Sequence, residues 1–298
     1  MAHPSPPAWE IDGATRLLGV IGDPIGHSLS PAMHNLALRH LGLNYRYLPF
    51  HVRPEHLIAA VQGFAAQGAR GFNATVPHKE GLIPLMADLS PEAQRAGAVN
   101  TVVIDDEGRL HGHNTDGYGF LSDLAAHGVG PGELEGKTAL AVGAGGACRA
   151  VAAALLQAGV TRLILANRTL ARAERLAEAL APHFPDALLE VAPLEADHLP
   201  LEECRLLVNA TTLGLHGEAL HEVDPARLPP HAVVHDIVYG PPTPLWLAAR
   251  QRGLVAIDGL GMLIHQGAAA FKLWTGLEMP VPLVESHLRQ LTAQRMKM

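Results

Sequence analysis

Lys137-Thr138-Ala139-Leu140-Ala141-Val142-Gly143-Ala144-Gly145-Gly146-Ala147-Cys148 passes from a short apolar stretch through a glycine cluster into a helix-forming run that ends near Ala158. Six residues of strand-compatible sequence, a turn rich in glycine and an amphipathic helix are the opening of a βαβ unit. Glycine at the turn lets the backbone bend tightly and approach a pyrophosphate, which the amide dipoles at the helix start then attract. The third fingerprint position holds Cys148 instead of glycine or alanine, still a small side chain for packing helix against strand.

From this unit the same rhythm continues towards the C-terminus. Arg162–Ala166 reads as a strand and Leu170–Leu180 as a helix, with further strands near Ala187–Val191, Leu206–Asn209 and Val233–Val238. Regular alternation predicts a parallel sheet covered by helices on both faces, a doubly wound Rossmann-like arrangement. Where an NAD-binding fold presents an acidic residue after its second strand, this chain reads Asn167-Arg168-Thr169, with Arg172 one turn on and no carboxylate before Glu174. Two guanidinium groups there suit a phosphate, so the expected cofactor is NADP rather than NAD.

Working back towards the N-terminus, Arg16–Ile21, Tyr45–Val52, Gly71–Val76 and Val99–Ile104 read as strands. Pro31–Leu41, with Ser30 as its cap, and Pro54–Gln67 read as helices. His111–Gly117 reads as a loop, Tyr118–His127 as a helix and Gly128–Gly136 as another loop. Beyond the nucleotide-type region, Gly261–Gly276 and Val281–Gln294 read as two helices, which cannot fold alone and must dock on something earlier. The expected division is 1–117 for a substrate-binding catalytic domain, 118–257 for the NADP domain, and 258–298 for helices returning to the first domain.

The 298 residues are 48% hydrophobic and 17% charged with a net charge of −7, which excludes a disordered chain and argues against nucleic acid as a partner. The longest apolar stretch, Thr138 to Ala166, is interrupted by Arg149, Gln157 and Arg162 and is too broken and glycine-rich to predict a membrane span. The opening MAHPSPPAWEIDG has no basic segment leading into an apolar run, and two cysteines build no disulfide framework. Both features predict a cytoplasmic protein. Eighteen histidines raise the question of a metal, and His111-x-His113 is the tightest pair. No third ligand at a metal-like spacing accompanies it, so none is expected.

Four polar clusters mark the first half. Ser28 and Ser30 lie two residues apart ahead of a helix, a plausible carboxylate cradle. Asn73-Ala74-Thr75-Val76-Pro77-His78-Lys79 follows a strand, and Gly97-Ala98-Val99-Asn100-Thr101 and Gly112-His113-Asn114-Thr115-Asp116-Gly117 complete the set. With Asp236-Ile237-Val238-Tyr239 and Asp258-Gly259-Leu260-Gly261-Met262-Leu263-Ile264-His265-Gln266, the whole pattern resembles the shikimate dehydrogenase family. The departures are an N-terminal extension and Ala74, where that family commonly has valine.

The resemblance implies reversible, NADPH-dependent reduction of 3-dehydroshikimate to shikimate, in the biosynthesis of aromatic amino acids. It implies that Ser28 and Ser30 bind the substrate carboxylate and that Thr75, Asn100 and Gln266 bond its ring hydroxyls, with Asn73 and Tyr239 close by. Lys79 and Asp116 would form the catalytic pair. Gly143, Ala144, Gly145, Gly146, Ala147, Asn167, Arg168, Thr169 and Arg172 would take the cofactor phosphates, and Thr211, Gly259 and Met262 would flank the nicotinamide end. The chemistry agrees: hydride delivery to a ketone leaves an alkoxide that needs a proton and a positive neighbour, and Lys79 can supply both. The alternatives are an NAD-preferring quinate/shikimate dehydrogenase, disfavoured by Arg168 and Ser30, and a non-catalytic binding or regulatory protein, disfavoured by Lys79 and Asp116. A monomer and a homodimer both remain compatible with the sequence.

Overall fold

A computed structural model describes residues 11–295; the first ten residues, most of the opening stretch considered above, lie outside them. Two compact units emerge. Residues 11–94, Ala98–Thr115 and Gly267–Gln290 form the first, and Arg95–Gly97, Asp116–Gln266 and the described residues from Leu291 form the second.

The first unit holds a six-stranded sheet of β1 (Arg16–Gly22), β2 (Tyr45–His51), β3 (Gly71–Ala74), β4 (Asp88–Leu89), β5 (Thr101–Ile104) and β6 (Leu110–His113), ordered β2-β1-β3-β5-β6-β4. The sheet is mixed: β1 runs parallel to β2 and β3, while β5 is antiparallel to both β3 and β6. The helices of this half of the chain are α1 (Ser30–His40), α2 (Leu57–Ala66) and α3 (Pro91–Ala96). Ile21, Phe64, Phe72, Val102 and Ile104 are among the apolar side chains that close its core.

Two readings of this half are corrected by the structure. Ser30 does not cap α1; the residue before the helix is Leu29, which has no side-chain cap, and the Ser28 hydroxyl accepts the Ser30 amide at 3.2 Å instead. A proline inside the first turn leaves fewer orphan amides for a cap to satisfy. The segment expected to be one loop contains β6, because His111-Gly112-His113 has no apolar alternation to betray a strand. Its pairing with β5 is set by the Asp105 carboxylate, which accepts the amides of Glu107 and Arg109 at 3.1 and 2.8 Å and closes a hairpin. His111 lies on that strand, its ring between the Asp88 and Asp105 carboxylates at 2.8 and 3.1 Å.

The second unit carries β7 (Thr138–Val142), β8 (Arg162–Asn167), β9 (Leu188–Pro193), β10 (Leu206–Asn209), β11 (Val233–Asp236) and β12 (Val255–Ile257). All five pairings are parallel, in the order β12-β11-β10-β7-β8-β9. Counted from β7 this is 3-2-1-4-5-6, the doubly wound order of dinucleotide-binding sheets. Its helices include α4 (Asp116–Ala126), α5 (Pro131–Leu134), α6 (Gly146–Gln157), α7 (Leu170–Leu180) and α8 (Pro244–Gln251). Successive strand residues serve opposite cores: Ala139, Ala141, Leu163, Leu165 and Val208 pack on one face, and Leu140, Val142, Ile164 and Leu207 on the other. A strand buried on both faces reads as an unbroken apolar run, which is why these strands were legible.

The glycine-rich segment Gly128–Gly136, expected to be a loop, contains the four-residue α5. The sequence reading also passed over α8, which opens on Thr243, whose hydroxyl accepts the Trp246 amide at 3.1 Å, and β12 behind it. The described residues close with α9 (Gly259–Thr275) and α10 (Val281–Arg295). Among the described residues, no helix is long and apolar enough to cross a membrane.

One residue of the first unit's core sets an acid limit on stability. His34 on α1 is fully buried, both ring nitrogens lack hydrogen-bond partners, and its ring stacks on Tyr47 with centroids 4.3 Å apart. Burial pushes its pKa down to about 3. The unfolded chain therefore binds one more proton than the folded chain as pH falls from about 6.5 towards 3. Stability held above the unfolded value is lost on acidification, at up to about 1.4 kcal/mol per pH unit from this one group. Denaturation curves between pH 7 and pH 4.5 should show a shallower loss for His34→Phe than for the wild type. Parallel curves would remove His34 as the cause.

Candidate active site

In the first unit, strand register alone gathers the polar motifs at one end of the sheet. Asn73 pairs with Thr101 and Val20 with Asn73, so the carboxyl ends of β1 and β3 lie beside the amino end of β5. Thr101 in turn pairs with His113, bringing Asn114 and Thr115 to the same edge. The backbone continues the gathering past the strand ends. Thr75 donates its amide to the Ile21 carbonyl at 3.0 Å, Asn100 to His113 at 3.0 Å, and Val99 to the carbonyl of Lys79 at 2.8 Å. Gly22 has a specific reason to be glycine, since a Cβ there would stand 2.6 Å from the Thr75 methyl.

The side chains at this edge are hydrogen-bonded to one another. Asn73 donates to the Asn100 carbonyl at 3.1 Å and to the Thr101 hydroxyl at 2.9 Å. The Asn100 amide oxygen accepts from the Thr101 hydroxyl at 2.9 Å and from the Thr115 backbone at 2.8 Å. The Asn100 amide nitrogen donates to the Thr115 hydroxyl at 3.0 Å, and Asn114 donates to the Ala98 carbonyl at 2.8 Å. Asn73, Asn100, Thr101, Asn114 and Thr115 are all buried, so satisfying these groups internally fixes their orientation. Ser28 and Thr75 are half-buried and Ser30 is buried at the start of α1. Lys79 is half-buried just beyond β3, whereas its neighbour His78 turns inward, its Nε2 2.7 Å from the Val52 carbonyl. The spacing of the motifs did not reveal Thr101 or Tyr47 as members of this network. A tyrosine facing inward on β2 was the available signal, since a buried phenol needs a partner.

In the second unit the glycine turn sits where the strand order reverses, between β7 and β10. Gly143 has φ +122°, a conformation that favours glycine, and a Cβ there would meet the Ala210 carbonyl at 3.0 Å and the Thr211 methyl at 3.3 Å. Thr211 is thereby placed against the turn. Above Gly145, which precedes α6, a Cβ would meet nothing within 4 Å, so the backbone there is open to a ligand. Ala144 is buried, and Gly146 and Ala147 are half-buried in the first turn of α6. Cys148 is fully buried and donates its thiol to the Gly143 carbonyl at 3.0 Å. Burial pushes that thiol up to about 12, which makes it a packing group beneath the turn and not a nucleophile.

Arg168 and Arg172 stand exposed with Thr169 at the β8–α7 junction, beyond Asn167, which donates to the Thr169 carbonyl at 2.8 Å. A backbone cradle open at Gly145 and two exposed guanidinium groups at the next strand end fit a phosphorylated dinucleotide.

The loops after β10 and β11 are tied together by a residue quoted in the sequence pattern but given no role there. The buried Asp236 carboxylate accepts from Asn209 at 3.0 Å, from the Val238 amide at 3.1 Å and from the Thr243 hydroxyl at 2.6 Å. Burial raises its pKa, while those three hydrogen bonds pull the other way. Asn209 also accepts the Thr211 hydroxyl at 2.7 Å, so Thr211 is held from two sides. Tyr239 follows, half-buried.

The start of α9 explains the glycine-rich Asp258–Gln266 motif by close approach. A Cβ on Gly259 would fall 1.9 Å from the Ile237 carbonyl, and one on Gly261 only 2.0 Å from the Asp123 carboxylate. Asp123 lies on α4 and accepts the Met262 amide at 3.0 Å and faces the buried His235 ring at 3.0 Å. Gly119, on the same helix, would meet the Gln266 backbone nitrogen at 2.6 Å if it carried a Cβ. Met262 and Gln266 are therefore positioned by Gly119 and Asp123, neither of which the motif reading singled out. Asp116, buried, is the first residue of α4.

A glycine turn at the reversal point of a parallel six-stranded sheet defines a dinucleotide-binding protein, here joined to a unit with a separate polar recognition edge. The chain matches the family model of the shikimate dehydrogenase substrate binding domain over residues 20–102. It also matches the models described as shikimate / quinate 5-dehydrogenase over 123–216 and shikimate 5'-dehydrogenase C-terminal domain over 259–289. It is 59% identical over 284 residues to the shikimate dehydrogenase (NADP(+)) of Magnetococcus marinus, covering 95% of this chain and 99% of that one. The shikimate 5-dehydrogenase of Thermus thermophilus, solved with NADP(H) and shikimate, is 41% identical. It superimposes with a TM-score of 0.79 over 93% of this chain and 99% of that one. The Listeria monocytogenes shikimate 5-dehydrogenase, solved with shikimate and NAD, is 39% identical with a TM-score of 0.83, covering 93% and 98%. The chain belongs to the shikimate dehydrogenase family.

Proposed function

We propose that this protein catalyses the reversible, NADP-dependent interconversion of shikimate and 3-dehydroshikimate, within the biosynthesis of aromatic amino acids. The observation that carries this reading is the gathering of Asn73, Thr75 and Asn100 at one sheet edge, with Ser28 and Ser30 in the segment that leads from β1 into α1. It is joined in the same chain to a glycine turn with Arg168 and Arg172 at the next strand end. The first unit carries most of the substrate-recognition residues and Lys79, while the second carries the NADP-binding residues together with Asp116, Tyr239 and Gln266.

NADPH, when bound, supplies the hydride. The hydroxyls of Ser28 and Ser30 bind the substrate carboxylate, two neutral donors beside the positive end of α1. Thr75, Asn100, Gln266, Asn73 and Tyr239 orient the hydroxylated ring. The Lys79 ammonium protonates the oxygen that becomes an alkoxide as the ketone is reduced, and Asp116 supplies the negative charge that keeps that ammonium in play. On the cofactor side, Gly143 to Ala147 receive the pyrophosphate. Asn167, Arg168, Thr169 and Arg172 read the adenosine phosphate, and Thr211, Gly259 and Met262 bound the nicotinamide end. We read the protein as cytoplasmic, a monomer or a homodimer, with no nucleic-acid, membrane or metal partner.

Steady-state assays with shikimate or quinate, each paired with NADP⁺ or NAD⁺, test the proposal. The highest kcat/KM is expected for shikimate with NADP⁺. A preference for NAD⁺ or for quinate would move the protein to the NAD-preferring quinate/shikimate type. Turnover of none of the four pairs would favour a binding protein that reuses the fold.

A further inference from the structure

We propose that Tyr47 is a positioning residue of the substrate-recognition edge, and that the network around it leaves Asn73 able to meet a ligand only as a hydrogen-bond acceptor. The proposal rests on the reading of Asn73 as a substrate contact and adds what kind of group Asn73 can recognise. It follows from counting donors and acceptors on one buried amide.

A carboxamide has two N–H donors and two acceptor sites on its oxygen. Both donors of Asn73 point into the protein, one to the Asn100 carbonyl at 3.1 Å and the other to the Thr101 hydroxyl at 2.9 Å. A backbone carbonyl can only accept, so the Asn73 atom facing Asn100 has to be Nδ2, and the amide cannot be flipped without losing that bond. The Asn73 oxygen then faces Tyr47, whose hydroxyl donates to it at 2.7 Å. One acceptor site on Oδ1 remains. A ligand hydroxyl can donate to it; a ketone or a carboxylate, which offer only lone pairs, would meet an oxygen of the same polarity. Asn73 therefore recognises a hydroxyl that donates, which suits a polyhydroxylated ring and not its oxidised or acidic positions.

Tyr47 holds this arrangement rigidly. Its side chain is fully buried on β2, stacked on His34 at a centroid distance of 4.3 Å and an interplanar angle of 17°, with Trp274 at 6.0 Å on another side. The His34 ring nitrogens bond to nothing, so the histidine serves as an apolar plate for the phenol ring. Trp274 is itself pinned, donating its indole N–H to the Val102 carbonyl at 2.9 Å. A buried phenol stacked on His34 and packed against Trp274 has its hydroxyl direction set, and through it the rotamer of Asn73.

The test compares Tyr47→Phe, Asn73→Ala and the double variant of the full chain, reading KM for shikimate, KM for NADP⁺, kcat and the thermal midpoint. Tyr47→Phe keeps the stacked ring and removes the hydroxyl that donates to Asn73. It should raise KM for shikimate about three- to tenfold, the range of one neutral hydrogen bond, with KM for NADP⁺ unchanged. Asn73→Ala should raise it at least as much, and the double variant should match Asn73→Ala alone, because Tyr47 acts through Asn73. A Tyr47 effect that persists in full on the Asn73→Ala background would overturn the positioning role, as would a fall in thermal midpoint without any change in KM. Unchanged KM in Asn73→Ala would instead remove Asn73 from the substrate site, and the proposal with it, while leaving the activity itself intact.

An arm on the wild-type protein needs no variant. Shikimate analogues with one ring hydroxyl replaced by hydrogen or by fluorine are compared by calorimetry. At one ring position both replacements should weaken binding by the same factor, because fluorine cannot donate. A fluoro analogue that retains affinity at every position would show that no ring hydroxyl is read through its hydrogen, and would overturn the acceptor-only reading.

Discussion

Replacing Lys79 with alanine is expected to lower kcat about 10²- to 10⁴-fold while KM for shikimate stays within a few-fold of wild type. Reduction of a ketone places a full negative charge on oxygen unless a proton arrives with the hydride, and a positioned ammonium both stabilises and neutralises that charge. Its contribution is made where charge develops, in the transition state, so its loss falls on kcat. Lys79 has a stem fixed at its base, with its carbonyl bonded to the Val99 amide at 2.8 Å and the adjoining His78 anchored on the Val52 carbonyl. The side chain is half-buried on the edge that carries Asn73, Thr75 and Asn100. Single-turnover hydride transfer by the variant, followed at 340 nm under saturating substrate, separates chemistry from binding. An effect confined to KM would make Lys79 a binding residue.

Arg168→Ala is expected to raise KM for NADP⁺ about 10- to 100-fold with little change for NAD⁺, so that cofactor preference collapses. The two cofactors differ by one phosphate on the adenosine ribose. Only a group bonded to that phosphate can distinguish them, and a charge-assisted hydrogen bond is worth about 1.5–3 kcal/mol. Arg168 fits because it is exposed at the end of β8, the strand after the glycine turn, where no carboxylate stands to bond a bare ribose. Arg172, one turn into α7, is exposed beside it. Equal loss of both cofactors would assign Arg168 to a phosphate that they share. The Listeria relative solved with NAD makes the comparison informative within the family.

Much of the second unit was legible because its strands are buried on both faces. Ala139, Leu140, Ala141 and Val142 serve alternate cores, so the strand shows as an unbroken apolar run ending at glycine. Leu206–Asn209 was read at its observed bounds for the same reason, and Leu170–Leu180 because its buried Ala173, Leu176 and Leu180 recur at helical spacing. The first unit was harder. β4 has two residues, and β6 reads Leu-His-Gly-His, so neither carries a periodic signal. β6 is placed by the hairpin with β5 that the Asp105 turn closes, and β4 by its pairing with β6, Asp88 beside His111, and neither by strand preference of its own.

The polar motifs divide in the same way. Residue type and order singled out Ser28, Ser30, the glycine turn and Arg168 as candidates, since turn glycines and polar side chains next to helix starts and strand ends show locally, while the roles proposed for Thr75 and Asn100 came with the resemblance of the whole pattern. The sequence alone determined the doubly wound βαβ class, the glycine turn and the absence of an acidic residue after β8, because each depends on near neighbours in the chain. Only the tertiary structure decided which groups hold those residues in place. It takes a mixed sheet to set Asn73 opposite Thr101. It takes α4 folding back to bring Asp123 under Met262, and an aromatic stack from three elements to aim the hydroxyl of Tyr47. Hydrogen-bond direction depends on donors and acceptors within about 3 Å, and chain order does not record what will be 3 Å away.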